Sequence, residues 1–355
     1  MVDDLPLFRR ILQRGVVIPA IPLALDAQRR FDERRQRALL RYYSAAGAGG
    51  IAVAVHTTQF EIRQPRHGLL EPVLALAADE MGRLDRRRAE PLVRIVGVCG
   101  RTEQAVREAE LAGRLGYHAG LLSLAALREA SDEELLEHCC AVGRIIPLVG
   151  FYFQVAVGGR PLSQAFWRRL AELEALAAVK IAPFDRYQTL DVVRAIAESG
   201  RDDVALYTGN DDHIVLDLLT PLRFRVNGRL VERRMVGGLL GQWAVWTRRA
   251  VELLQQCHQL VLHGRGDWPA MMATATELTD ANAAIFDVAH QFAGCVCGIH
   301  EVLRRQGLLA GTWCLNPAEC LSPGQAGQID RVCRDYPHLS DDDFVAQHLD
   351  EWLAP

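Results

Sequence analysis

Lysine is almost missing from this chain. Of its 40 basic residues 39 are arginine, and the one lysine is Lys180. Arginine serves wherever only positive charge is wanted, and a GC-rich coding sequence favours it. A guanidinium neither loses its proton near neutral pH nor acts as a good nucleophile, whereas an amine does both. The single exception therefore marks a place where amine chemistry is expected. An excess of positive charge is also missing: the formal net charge is -4. That argues against a nucleic-acid binder, which presents a strongly basic face. It leaves room for a small anionic substrate, because local charge decides that. No uninterrupted apolar run reaches the roughly 18 residues of a membrane span, so no membrane partner is expected. The opening Met1-Val2-Asp3-Asp4 is acidic and lacks the apolar core of a signal peptide. The nine cysteines are odd in number and scattered. With no secretory signal they read as reduced thiols, and a cytoplasmic location is expected.

What is present is a rhythm. Short runs rich in Val, Ile, Leu and Ala fall at 16–23, 50–55, 93–98, 119–124, 145–153, 178–182, 204–208 and 235–240. They show little polar alternation, as parallel strands buried on both faces do. Amphipathic stretches lie between them, at 31–46, 102–115, 132–142, 164–176 and 190–199. Eight strands alternating with helices predict an α/β fold of the (β/α)₈ TIM-barrel type. Two parts break the pattern. Residues 222–234 read as strand, Asn227-Gly228 turn, strand, which is a hairpin insertion. Beyond Trp243 the chain reads as almost entirely helical, with helices at 243–262, 268–293 and 296–306. The expected division is a barrel over 1–245 and a helical extension over 246–355, packed on it.

In such a barrel the site lies at the C-terminal ends of the strands. Four strands end in polar or reactive groups: His56-Thr57-Thr58, Phe151-Tyr152-Phe153-Gln154, Val179-Lys180-Ile181 and Thr208-Gly209-Asn210-Asp211-Asp212. The apolar neighbours of Lys180 disfavour its charged form and lower its pKa from about 10.4. A catalytic amine works best near ~7–8. Its attack on a ketone gives an imine, an electron sink for bond cleavage or dehydration. Tyr152, on the neighbouring strand, is the expected proton relay. Thr57 and Thr58 offer hydroxyls and backbone N–H groups suited to a carboxylate, with His56 beside them as a further substrate-binding candidate. Gly209 lets the backbone approach a ligand closely. Cys295-Val-Cys297 with His300 matches no common zinc spacing and reads as a packed helix. Asp211-Asp212 before His213 reads as a helix cap. No metal is expected, although a divalent ion on Asp211, Asp212 and His213 stays open as a rival.

These residues, in this order, resemble the dihydrodipicolinate synthase / N-acetylneuraminate lyase family. The likeness is carried by Pro19-Ala20-Ile21-Pro22-Leu23, by Gly47-Ala48-Gly49-Gly50-Ile51 before His56-Thr57-Thr58, and by Gly97-Val98 with Thr102. Val179-Lys180, the 208–212 segment, and Leu303, Gly307-Leu308 and Pro317 in the tail continue it. The resemblance implies a barrel with a helical C-terminal extension and an imine between Lys180 and a 2-oxo acid, usually pyruvate. It implies Tyr152 as the relay, Thr57 and Thr58 on the carboxylate, and Gly209 lining the pocket. It implies no metal or organic cofactor, and a homo-oligomer, tetramer or dimer. The sequence also departs from the pattern. His56 replaces the first glycine of the Gly-Thr-Thr-Gly-Glu signature, and Glu61 falls one residue late. Ser123-Leu124-Ala125 stands where the synthases carry a tyrosine pair, and Val157 stands where they carry an arginine. The expectation is an imine-forming aldolase or dehydratase with a divergent substrate. The alternative is a non-catalytic barrel that binds a sugar acid or regulates.

Overall fold

The computed structural model describes residues 5–155 and 158–355. Met1–Asp4 and Val157, both used above, lie outside the described residues.

Eight parallel strands form one sheet: β1 Val17–Pro19, β2 Gly50–Val53, β3 Val93–Val98, β4 Ala119–Leu122, β5 Leu148–Phe153, β6 Leu176–Ala182, β7 Ala205–Thr208 and β10 Gly237–Leu240. The spatial order is β1-β10-β7-β6-β5-β4-β3-β2. The two ends meet through a parallel bridge between Ala20 and Ala52, with the Ile21 N–H donating to the Ala52 carbonyl at 3.0 Å. The sheet is thus a barrel, as the strand count predicted. Helices α2 Glu33–Ala46, α3 Leu70–Asp85, α4 Thr102–Arg114, α5 Asp132–Gly143, α6 Gln164–Ala171, α7 Arg186–Ser199 and α8 Ile214–Leu219 alternate with the strands.

Two apolar layers follow from period-two alternation along each strand. One fills the barrel and includes Ile18, Ala52, Ile95, Leu121, Val149, Phe151, Ala178, Ala182 and Leu239. The other lies between strands and helices and includes Leu148, Tyr152, Val179 and Ile181. A helix the sequence reading did not anticipate, α1 Leu7–Arg14, closes the lower end. Its Leu12 joins the inner layer, and its Leu12 carbonyl accepts the Tyr207 hydroxyl at 3.0 Å.

Several boundaries differ from expectation for local reasons. The first strand's regular ladder is short, Val17–Pro19, but its pairing runs on, with the Ala20 N–H donating to the Leu240 carbonyl at 3.1 Å; the fifth starts after Pro147, because proline has no N–H to donate. Helix α6 ends at Ala171, and Leu176 begins β6 instead of closing the helix. The hairpin is present as β8 Leu222–Val226 and β9 Arg229–Arg233, turned by Asn227 (φ 49°) and Gly228 (φ 79°).

The extension comprises α9 Thr247–His263, α10 Trp268–Ile285, α11 Cys295–Arg305, α12 Gln325–Asp335 and α13 Asp342–Leu353. The single helix expected over 268–293 breaks after Ile285. Asp287, Gln291 and Phe292 take left-handed backbone conformations there, around a short turn at Val288–His290. Buried Asp287 over-determines that turn: it accepts from the Gly294 N–H at 2.9 Å and pairs with His290 at 2.6 Å. The extension shares one core with the barrel. Tyr42 of α2 donates to Asp341 at 2.8 Å and accepts from the Thr247 N–H at 2.8 Å. Among the described residues, no helix is long and apolar enough to cross a membrane.

Candidate active site

The carboxyl ends of the strands surround a cavity of about 800 Å³, counted with its open mouth. Its solvent-accessible interior is only about 80 Å³, a narrow site of mostly apolar lining with a few polar groups.

Lys180 reaches this cavity because β6 alternates. Ala178 and Ala182 belong to the inner layer and Val179 and Ile181 to the outer one, so residue 180 faces inward. Its ammonium lies 4.6 Å from the centroid of the Phe151 ring, the residue in register with it on β5. Burial lowers the amine to about 8, against a partial counter-effect from the Asp211 carboxylate. The stem needs Gly209 opposite it. A Cβ at Gly209 would meet Lys180 Cε at 2.6 Å and Ala182 Cβ at 2.7 Å, closer than real carbons approach. Gly209→Ala is therefore expected to push the amine aside. A displacement of about 1 Å costs on the order of 10²-fold in rate. Borohydride trapping rates for wild type and variant check this, with wild-type-like trapping as the contrary result.

Asp211 also lines the cavity. Burial raises its carboxyl to about 7, opposed by the charge on Lys180. Its predicted role as a cap is not what the structure shows. Helix α8 has His213 at its N-cap position and no side-chain cap. Asp211 accepts from the Gln242 N–H at 3.4 Å, and its carbonyl accepts from Asn282 Nδ2 at 2.7 Å. Among the described residues, no group of three or more His, Cys, Asp or Glu side chains is gathered to hold a metal.

The loop after β2 carries His56, Thr57 and Thr58 as a short helical turn between Ala54 (φ 60°) and Gln59 (φ 67°). Strain of this kind persists only where the surroundings over-determine it. Here the Thr57 hydroxyl donates to the Ala20 carbonyl at 2.8 Å and the Thr58 hydroxyl to that of Ile21 at 2.7 Å. Arg63, paired with buried Glu108 at 3.0 Å, donates to the Ala54 and Gly97 carbonyls. Gln59 Oε1 accepts from the Leu315 N–H at 2.6 Å, tying the loop to the extension. Thr57 and His56 line the cavity, whereas Thr58 is fully buried and braces the loop. His56 stands between Phe60 (5.9 Å) and Phe153 (6.2 Å). Burial, then the nearby Lys180 charge, lowers it to about 4. At neutral pH it is an uncharged wall with a hydrogen-bonding edge.

Tyr152, expected as the relay, is not in the site. It takes the outer face of β5, where its ring packs 5.5 Å from that of Trp167 on α6. Its hydroxyl accepts from the Leu162 N–H at 3.2 Å. The side chains that β5 turns to the cavity are Phe151 and Phe153. Tyr152→Phe is accordingly expected to leave imine trapping unchanged and to cost about 0.5–1.5 kcal/mol of stability, as thermal melts would show. Tenfold slower trapping would contradict this placement. The sequence reading missed Asp211 as a cavity group, and also Ser123 and Cys99, which line it. The positions of Ser123 and Cys99 just past the ends of β4 and β3 were the available signal.

The fold that holds this site is a (β/α)₈ barrel with a C-terminal helical extension, the architecture of dihydrodipicolinate synthases and N-acetylneuraminate lyases. The chain is similar to dihydrodipicolinate synthase from Aquifex aeolicus at 16% identity and a TM-score of 0.71, over 92% of this chain and 99% of that one. N-acetylneuraminate lyase from Fusobacterium nucleatum matches at 16% identity and a TM-score of 0.70, over 91% and 99%. A prophage protein of the dihydrodipicolinic acid synthase family from E. coli K12, solved in complex with pyruvate, matches at 17% and 0.72, over 91% and 98%. No family model and no curated protein matches the chain.

Proposed function

We propose that this protein is a divergent member of the dihydrodipicolinate synthase / N-acetylneuraminate lyase family, a Schiff-base-forming lyase acting on a 2-oxo acid. The observation that carries this reading is the chain's one lysine, set in the barrel mouth with its amine lowered to about 8 by burial. A useful fraction of such an amine is uncharged near neutral pH and can attack the C2 carbonyl. Loss of water from the carbinolamine leaves an imine, whose nitrogen accepts electrons as a bond at C3 breaks or water leaves. The His56–Thr57 corner would receive the carboxylate, with the neutral His56 ring as its donor, because the Thr57 hydroxyl is already donated to the Ala20 carbonyl. With Tyr152 outside the cavity, Asp211 is the group we assign to proton transfer, since burial raises it to about 7 and it faces the same space.

Borohydride reduction in the presence of pyruvate, followed by peptide mass spectrometry, tests the reading. An adduct on Lys180 is expected. No adduct with pyruvate or any other 2-oxo acid offered would count decisively against it. The outward placement of Tyr152 favours a second reading, a barrel that binds an acid sugar without turning it over. Thermal stabilisation by such a ligand, with neither adduct nor product, would select it. A cytoplasmic homo-oligomer, dimer or tetramer, is the expected working state, and light scattering on the purified chain measures the oligomer.

A further inference from the structure

The imine accounts for one end of the cavity. The rest is lined by an unusual share of aromatic rings: Phe60, Phe151, Phe153, Phe184, Phe286 and Phe292, six of the chain's 11 phenylalanines. Among the described residues no arginine lines the cavity, and Asp211 is its one carboxylate. A polyhydroxylated or doubly charged substrate would bury polar groups here with few partners, which is costly.

Two of the rings are held at a backbone cost. Phe184 (φ 56°) and Phe292 (φ 67°) both take the left-handed conformation that non-glycine residues avoid. Each is locked there by its own support. The Phe184 N–H donates to Asn210 Oδ1 at 3.0 Å, and Asn210 Nδ2 donates to buried Asp217 at 2.9 Å. The Phe292 N–H donates to the Asp287 carbonyl at 3.0 Å. The two rings then meet edge to face, 6.0 Å apart, one from the loop after β6 and one from the extension. Within the cavity Phe151 and Phe153 stack at 4.9 Å. Strain maintained at two separate positions, bringing two rings together beside a reactive amine, calls for a ligand that uses rings.

We propose that these phenylalanines form a slot for an aryl group, so that the enzyme cleaves or forms the aldol adduct of pyruvate and an aryl aldehyde. This rests on the imine reading above and adds the identity of the distal half of the substrate. Lys180 condenses with the C2 carbonyl of the adduct, releasing water. The C4 hydroxyl gives up its proton, the C3–C4 bond breaks, and its electron pair passes through C3 to the iminium nitrogen. The aryl aldehyde leaves, the enamine takes a proton at C3, and water hydrolyses the imine to pyruvate and free amine. The water taken up equals the water released, and no oxidant or reductant is needed.

The test compares cleavage of the pyruvate–benzaldehyde adduct with that of the pyruvate–glyceraldehyde adduct, alongside borohydride trapping with pyruvate alone. The benzaldehyde adduct is expected to show a kcat/KM higher by about 50-fold, the worth of burying a ring instead of hydroxyls. Phe184→Gly and Phe292→Gly remove a ring and relieve the backbone together, and each is expected to cut that preference about tenfold. Phe60→Leu, which keeps apolar bulk and loses the ring, serves if either glycine variant melts early. If pyruvate is trapped on Lys180 but the glyceraldehyde adduct is cleaved as fast, or neither adduct is cleaved, the aryl slot is wrong and the imine stands. If pyruvate leaves no adduct, the imine reading fails and this proposal falls with it.

Discussion

Lys180→Arg is expected to reduce turnover and borohydride trapping to background while the barrel still folds. Arginine keeps the positive charge beside Phe151 and removes only the nucleophile, so the variant separates charge from amine chemistry. Lys180→Met is the companion. Burying an ammonium opposes folding, and a thioether of similar length carries no such penalty. At pH 7 the methionine variant should melt higher than wild type, by on the order of 2 kcal/mol. The sign of the pH dependence follows from the two states of the amine. The folded amine releases its proton near about 8, the unfolded one near 10.5. Between those values the unfolded chain binds more protons, so this group's contribution to stability improves as pH rises from 8 to 10.5. That improvement should be missing in Lys180→Met. Equal pH slopes for the two proteins would mean that the amine is not held as described.

Asp211→Asn is expected to lower kcat by roughly 10²–10⁴, the range for loss of a general acid or base, while trapping of pyruvate persists. A carboxylate near an ammonium favours the charged form, so its removal lets the Lys180 amine fall below about 8. The pH at which trapping reaches half its maximum should therefore move down in Asp211→Asn, even as turnover collapses. A merely structural role would lower both activities and leave that midpoint in place. In the wild type, burial raises the Asp211 carboxyl and lowers the Lys180 amine toward one another, so the two titrate as a pair that holds one proton over an intermediate pH range. A bell-shaped kcat/KM profile with its maximum there is the matching expectation.

Much of the fold is legible in the amino-acid sequence. Continuous Val, Ile and Ala runs signalled parallel strands buried on both faces, and the number of those runs predicted a barrel. Proline sets one boundary that hydrophobicity alone does not: Pro147 delays the start of β5 to Leu148. Helix α1 and the break after Ile285 escaped notice because each depends on contacts made far away. Leu12 meets Tyr207, and Asp287 accepts from the Ser322 hydroxyl.

The site divides in the same way. Lys180 stood out by composition, and Gly209 was recognised as a place of close approach, though what approaches it is the lysine stem. Tyr152 was misplaced for an instructive reason. In Phe151-Tyr152-Phe153 every residue is apolar enough for either layer, so alternation carries no label for inside and outside. The register of Phe151 with Lys180 decides the matter, and it turns the tyrosine toward Trp167. Asp211 looked like a helix cap because acid residues before a helix usually are caps; only the path of the loop turns it into the cavity.

The chain by itself thus determined the barrel, the helical extension and the presence of one amine, because periodicity and composition are local quantities. The tertiary structure alone decided which side chains surround that amine: Asp211 in place of a tyrosine, and rings from the loops after β2 and β6, from strand β5 and from the extension. Strand register and loop path set those neighbours, and both are fixed by contacts between segments far apart in the sequence.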